Sequence, residues 1–395
     1  MEKKVFRLNE ICQIKSGKRI PKGMDYVTYQ TNHPYIRARD IKSGNILTEE
    51  LVYIEEKVYE KIKKYIIQKG DIAITVAGSV GDTGYANEIV DGYNLTENAV
   101  RLTNFTEAVD SKFLHYILMQ KHYYDYMQLI AGAAAQPKLG IYKIKKIRVV
   151  LPNVSIQKRI ADILTTYDSL IENNNKRIKL LEQMAENLYK EWFVRFRFPE
   201  YENTEFENGI PKGWKIEMLS DIADIIMGQS PKSENYNTNC EGLPFHQGVG
   251  SYGDFYLIDD IYSTKGNRIA EADSIIFSVR APVGRINITL NKIILGRGVA
   301  SINSVKGYNA YLLWLLKNQF QQEDIIGNGS IFTSVTKKEL FGFKILMPHD
   351  DLIKKFDSIA FGIESQMRKL SLINDNLAKQ RDMLLPRLMS GKLEV

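Results

Sequence analysis

Basic and amide side chains set beside glycines are the residues of this chain whose types and spacing could do chemistry. Lys15, Lys18, Arg19 and Lys22 lie around a glycine-containing turn near the start. Arg37 and Arg39 alternate in Tyr35-Ile36-Arg37-Ala38-Arg39-Asp40, so a strand there would turn both to one side. Lys138 leads a further cluster with Lys143, Lys145, Lys146 and Arg148. The second half of the chain offers Lys232, His246, Gln247, Arg280, Arg285, Arg297 and Lys337. Arg, Lys, Asn and Gln are the side chains that read base edges, and lysines more often hold phosphates. The chemistry on offer is recognition of a nucleic acid. Taken singly, each residue is more often a solvated face or an ion-pair partner; Arg39 has Asp40 beside it.

Catalytic signatures are missing. There is no G-x-x-x-x-G-K-[S/T] loop and no G-x-S-x-G elbow. The eleven prolines are never adjacent, which removes the Asn/Asp-Pro-Pro-aromatic motif of amino-methyltransferases. One G-x-G-x-x-G match, Gly248 to Gly253, runs into Asp254-Phe255-Tyr256-Leu257-Ile258, a strand-like run where a dinucleotide site needs a helix. A loose acidic set, Asp40 with Glu55-Glu56-Lys57, comes near the spacing of a metal-dependent nuclease. It continues as the charged run Val58 to Tyr65 and reads better as a solvated face. Neither a catalytic nor a metal site is expected. Cys12 and Cys240 lack metal-ligand spacing and suit reduced thiols. A formal charge of +6 fits a nucleic-acid partner if it is focused. No run approaches 18 apolar residues and the charged start lacks an apolar leader, so a cytoplasmic location is expected, with no membrane partner.

The elements that must position these residues occur twice. Arg7 to Gly17 matches Met218 to Gly228 in its apolar positions and closing glycine. The β-rich run Gly70 to Gly81 answers Ala272 to Gly284. Helical stretches follow at Lys112 to Leu129 and Tyr308 to Gln321, then small-residue loops at Ala131 to Gly140 and Gly327 to Ser334. Each copy closes with a short strand ending in proline, Ile147 to Pro152 and Phe343 to Pro348, and a long helix follows each proline.

Both helices carry heptads. Ile160, Leu164, Tyr167, Ile171, Asn174, Ile178, Leu181, Ala185, Leu188 and Trp192 alternate in steps of four and three. Phe356, Ile359, Ile363, Gln366, Leu370, Ile373, Leu377, Gln380 and Leu384 do so in the opposite phase. Two amphipathic helices packed only on their own domains is the plainer alternative; the strict seams favour pairing with each other. A whole domain between them allows antiparallel pairing, with Asn174 and Gln366 near the middle of the seam as register-fixing polar residues or as a hydrated layer. A helix from Gln157 to Phe193 spans about 55 Å. With about 34 Å per turn of B-DNA, domains at its ends could meet double-stranded DNA roughly one and a half turns apart.

Leu151-Pro152, Gln157 to Leu164, Leu170-Ile171, Leu180-Leu181-Glu182, Leu188 to Val194, Gly213-Trp214 with Leu219, and Leu384 to Leu393 together resemble the specificity subunits of type I restriction–modification systems over essentially the whole chain. The resemblance implies an α+β fold: two target-recognition domains, 1–152 and 198–348, related by an internal repeat. Two long helices, 153–197 and 349–395, would join them as an antiparallel coiled coil. It implies a non-catalytic subunit of a site-specific deoxyribonuclease and adenine methyltransferase, reading a bipartite interrupted DNA target. Two methyltransferase subunits and nuclease–translocase subunits would dock on it. S-adenosylmethionine, ATP and Mg would bind those partners and none would bind this chain. Asp350-Asp351-Leu352-Ile353 stands where the first copy has Gln157-Lys158, which leaves open whether both helices dock partners equally. A modification-only complex and a scaffold that binds no DNA also remain open.

Overall fold

The computed structural model describes residues 3–132, 137–321, 334–390 and 393. The loop Ala131 to Gly140 is described at its ends only, and Gly327 to Ser334 lies outside the described residues up to its last member. The chain forms two compact units, Met1–Glu172 with Asp375–Val395, and Asn173–Asn374.

In the first unit an antiparallel sheet runs in the order Gln13–Ser16, Ala99–Thr103, Ile72–Thr75, Thr83–Tyr85. Its two middle strands are buried along their whole length, which is why they read as nearly continuous apolar runs and not as an alternation. One charged pair interrupts them: Arg101 meets Asp71 at 2.8 Å, both almost without exposure. A smaller sheet sets Pro34–Ile36 between Val52–Tyr53 and Asn94–Leu95, parallel to the latter. The helix Ser111–Met119 starts where the Asp110 carboxylate accepts the Phe113 N–H at 2.9 Å, and packs its apolar residues on the large sheet.

The second unit repeats this plan with Ala223–Met227, Val299–Ser304, Ile275–Ser278 and Ile286–Ile288, all antiparallel. Its smaller sheet has the same parallel step, Leu243–His246 beside Ile293–Leu295. Thr75 pairs with Ala99 in one copy and Ser278 with Val299 in the other. On that register Ser274 and Ser301 stand where the first copy has Asp71 and Arg101. The Ser274 hydroxyl accepts from Asn303 Nδ2 at 3.1 Å, and the buried Ser301 hydroxyl has no hydrogen-bond partner among the described residues.

A long helix leaves each sheet domain: Val154–Tyr189, extended by a π-helical turn Lys190–Val194, and Asp350–Ser390. In the first unit Ile160, Ala161 and Leu164 share a core with Leu385 and Leu388, and Asp168 meets Arg381 at 2.6 Å. In the second, Asn174 Nδ2 donates to Asn374 Oδ1 at 2.9 Å, and Trp192 packs edge-on to Phe356 at 5.8 Å. Numbers rise along one helix as they fall along the other, so the pairing is antiparallel in both units. The α+β fold with its internal repeat and paired helices is as the sequence led us to expect.

The seam of the central helix lies where the heptads put it: Ile160, Leu164, Asn174, Ala185 and Trp192 are buried, and Tyr167, Ile171, Ile178, Leu181 and Leu188 half-buried. On the C-terminal helix only alternate positions are right. Phe356, Ile363 and Leu370 are buried and Leu377 and Leu384 half-buried. Ile359 and Ile373 are 43% and 47% exposed, and Gln366 is exposed too. The inward positions are Ala360, Met367, Asn374 and Arg381, one residue further on, because the helix takes the same phase as its partner. The polar partner of Asn174 is therefore Asn374, not Gln366; Asn374 Nδ2 also reaches Asn175 Oδ1 at 2.7 Å.

Removing one member of a buried ion pair strands the other charge, a loss of about 3–5 kcal/mol. Asp71→Ser is expected to lower unfolding stability by that order in a urea titration. Asp71→Ser combined with Arg101→Ser, which copies the second unit, should recover part of it. A single variant as stable as the parent would contradict this account.

Candidate nucleic-acid interface

Five backbone segments meet at one end of each large sheet. In the first unit Lys18 N–H donates to the Leu95 carbonyl at 2.8 Å, and Thr96 N–H to the Ile36 carbonyl at 3.0 Å. Val76 N–H reaches the Asn98 carbonyl at 2.7 Å, and Leu139 N–H the Val76 carbonyl at 2.9 Å. In the second, Gln229 donates to Leu295 at 2.9 Å and Gly296 to His246 at 2.8 Å. Val279 donates to Gly298, and Val335 to Val279, both at 2.9 Å. The junctions are equivalent bond for bond. Both need a glycine at the close approach: a Cβ on Gly17 would lie 2.0 Å from the Thr96 carbonyl oxygen, and one on Gly228 2.1 Å from that of Gly296.

These junctions gather candidates that are far apart in sequence. Lys18, Arg19 and Lys138 belong to the first, and Gln247, Arg280 and Arg297 to the second; all six are exposed. Lys15 is exposed on the strand that leads into Gly17, and Lys22, Lys232, Arg285 and Lys337 are exposed on adjoining segments. Sequence reasoning passed over Gln229, Glu97 and Ser230. Glu97 meets Arg19 at 3.6 Å, and the Ser230 hydroxyl accepts the Arg297 N–H at 3.1 Å. The signal for Gln229 was its place after Gly228, matching Lys18 after Gly17.

Residues 1–183 and 211–359 match the family model described as the type I restriction modification DNA specificity domain. This chain belongs to that family. A Methanocaldococcus jannaschii chain that carries the provisional name type I restriction enzyme MjaX specificity subunit is 29% identical, over 99% of this chain and 93% of its own. The type I restriction enzyme HindI specificity subunit of Haemophilus influenzae is 21% identical over 89% of this chain and 94% of its own. The S subunit crystal structure of a type I restriction-modification system from M. genitalium has the same fold. Its TM-score is 0.58 at 16% identity, covering 98% of this chain and 96% of that one. DNA recognition is thus the role of this type I specificity subunit, and no helix among its described residues is long and apolar enough to cross a membrane.

Two candidates in this specificity subunit hold the scaffold together instead of facing outward. The strand expected through Arg37 and Arg39 stops at Ile36, and Ala38–Asp40 forms a 3-10 turn. Arg37 folds back on Asp40, with Nη2 to Oδ1 at 2.8 Å and Nε to Oδ2 at 3.0 Å, leaving little of it exposed. Arg39 stays exposed and meets Glu50 at 3.3 Å. His246 ends the strand Leu243–His246 with its ring fully buried. Nδ1 is 2.7 Å from the Ser251 hydroxyl and Nε2 2.9 Å from Asp259 Oδ1. That order of groups resembles a hydrolase relay, but a ring without exposed surface cannot serve a substrate; it ties the Gly248–Gly253 loop to the sheet. Burial works against the Asp259 carboxylate, yet the hydrogen bonds from His246 and Asn291 outweigh it and hold its pKa below the ordinary value. The acidic set is likewise engaged: Asp40 by Arg37, Glu55 by Lys57 at 2.7 Å and Glu56 by His33 at 2.7 Å.

Loss of the ring would leave Asp259 and Ser251 short of partners, a cost of about 1–3 kcal/mol. His246→Ala is expected to lower the unfolding midpoint in urea, while Gln247→Ala, one residue on and exposed, should stay within about 0.5 kcal/mol of the parent. Equal effects of the two would contradict this assignment.

Proposed function

We propose that the chain reads a bipartite, interrupted DNA target, one half-site through each junction, and carries no catalysis of its own. The observation that supports this best is the recurrence of the same five-segment junction in both units, with different side chains mounted on it. In the second unit Gln247, Arg280 and Arg297 are the base readers, with Lys232, Arg285 and Lys337 on the flanks. In the first, Lys15, Lys18, Lys22 and Lys138 take phosphates and Arg19 reaches the groove beside Glu97. The helix pair sets the unread gap and docks two methyltransferase subunits, with nuclease–translocase subunits joining them. S-adenosylmethionine, ATP and Mg belong to those partners.

The test is methylation mapping. The chain is expressed with its methyltransferase partner in a methylation-free host, and modified bases are read genome-wide. A two-part motif modified on both strands is the expected result; an assembled complex that leaves no motif would sink the proposal. Arg297→Ala should relax one position in one half of the motif only, a loss of about 1–3 kcal/mol of discrimination.

Adding one heptad to each helix lengthens the pair by about 10 Å, close to three base pairs of DNA. Mapping that variant should return the same two half-sites with a gap longer by about that amount. An unchanged gap would remove the helices from the role of ruler.

A further inference from the structure

Among the polar bonds that tie each sheet domain to the long helix that follows it, one from an aromatic side chain to a carboxyl group recurs at equivalent positions of the repeat. Tyr116, on the helix Ser111–Met119, donates its hydroxyl to the Asp168 carboxylate. Trp314, on the helix Asn309–Gln321, donates Nε1–H to Glu364 Oε1 at 3.0 Å. Asp168 comes directly after the third seam residue of its helix, Tyr167, and Glu364 directly after the third of its own, Ile363. Both donors are aromatic and stiff, with two rotatable bonds, so the bond fixes a direction as well as a distance.

The surroundings of the two carboxylates differ. Asp168 also accepts from Arg381 of the opposite long helix at 2.6 Å. The cations near Glu364 are committed elsewhere. Lys317, on the Trp314 helix, is paired with Glu182 of the central helix at 2.5 Å and lies over the Phe255 and Trp314 rings. Arg368, on the same helix as Glu364, is paired with Asp273 of the sheet domain. Asp357, about two turns earlier on the same helix, adds a like charge, and the Tyr256 hydroxyl reaches the Glu364 backbone carbonyl at 3.4 Å.

We propose that Tyr116–Asp168 and Trp314–Glu364 are positioning latches, which fix the angle at which each recognition domain leaves its stretch of the helix pair and thereby the gap between the half-sites. This rests on the interrupted-target reading above. Loss of water pushes Glu364 up to about 8; Trp314 pulls it down, Asp357 raises it and Lys317 lowers it. At neutral pH the second latch therefore works as a protonated acid accepting through its carbonyl oxygen, whereas the carboxyl group of the first faces Arg381. A carboxyl raised in the folded state supports the fold fully below its ordinary value of 4.5 and loses that support as pH climbs through about 8.

The experiment measures binding of the full chain to duplexes carrying the mapped target, with its native gap and with gaps one base pair shorter and longer. The readout is the ratio of the dissociation constants, native gap against shifted gap, from pH 7 to pH 9. The parent should reject a shifted gap by about tenfold or more, the scale of a mismatched base pair. Trp314→Phe and Tyr116→Phe should bring that ratio within about threefold while the bases preferred in each half-site stay the same. Glu364→Gln, an isostere of the protonated acid, should keep the parental ratio and hold it up to pH 9, where the parent's ratio falls. Tyr116→Phe removes a single oxygen and carries the test if Trp314→Phe does not fold. Latch variants with the parental ratio, or a Glu364→Gln ratio that falls with pH as the parent's does, would overturn the proposal. A parent that ignores the native gap would instead overturn the interrupted-target reading beneath it.

Discussion

Antiparallel pairing of two helices that are separated in sequence by a whole sheet domain is the constraint on which the rest of this molecule depends. Neither sheet domain closes its core with its own chain segment alone. The first buries Leu385 and Leu388, from the far end of the sequence, beside Ile160, Leu164 and the sheet residues Val100 and Leu102. The second buries Tyr189, Trp192 and Phe193 of the central helix against Tyr311 and Phe356, rings meeting edge to face at 5 to 6 Å. Full burial of one such side chain contributes about 1.5–3 kcal/mol, so each half of the seam is a large part of the stability of the domain it touches. A purely apolar seam would tolerate sliding by a heptad. The Asn174–Asn374 bond removes that freedom, because a slipped register would leave the buried Asn174 amide and the half-buried Asn374 amide without partners.

Once the scaffold is fixed in this way, its exposed positions can vary without disturbing it. Gly17 and Gly228 are the same residue because a backbone oxygen lies where a Cβ would go. Around them, equivalent positions carry Lys18 and Gln229, Glu97 and Arg297, Asn98 and Gly298, Ala77 and Arg280. Charge reverses at one of these positions and appears at another, while the backbone bonds remain the same. Even an interior position has been exchanged, the Asp71–Arg101 pair for two serines. That is feasible because a buried ion pair recovers little more than its own desolvation cost.

The order of elements and the central seam were legible in the sequence because periodicity reports burial directly. Reading the second helix by residue type failed at every other position. Ile359 and Ile373 look like core residues and face outward; Asn374 and Arg381 look like surface residues and face inward. What places them is the opposite helix, where Asn174 and Asp168 supply partners, and no single segment contains that information. The interface suffered from the same cause. Arg37 carried a local warning in Asp40, three residues on, whereas the partners of His246 lie in a loop whose course depends on the sheet. Gln229 and Glu97 are unremarkable in composition and become visible only when the two copies are laid on each other.

The same comparison shows that the two junctions differ in the side chains they present. In the first, Arg37 is engaged with Asp40 and Arg39 with Glu50, while Arg19 stays exposed 3.6 Å from Glu97. What it presents without an ion pair among the described residues is lysine, at 15, 18, 22 and 138, with Lys18 resting over the Tyr65 ring. A flexible ammonium is a point charge suited to phosphate, while a planar guanidinium or an amide can match a base edge with two bonds. In the second junction Arg280 and Arg297 have no ion pair among the described residues, and Gln247 stands beside the Gly296–Gly298 loop where the backbones nearly touch. Side-chain chemistry thus differs between the two junctions: the first presents mainly ammonium groups, the second guanidinium groups and an amide.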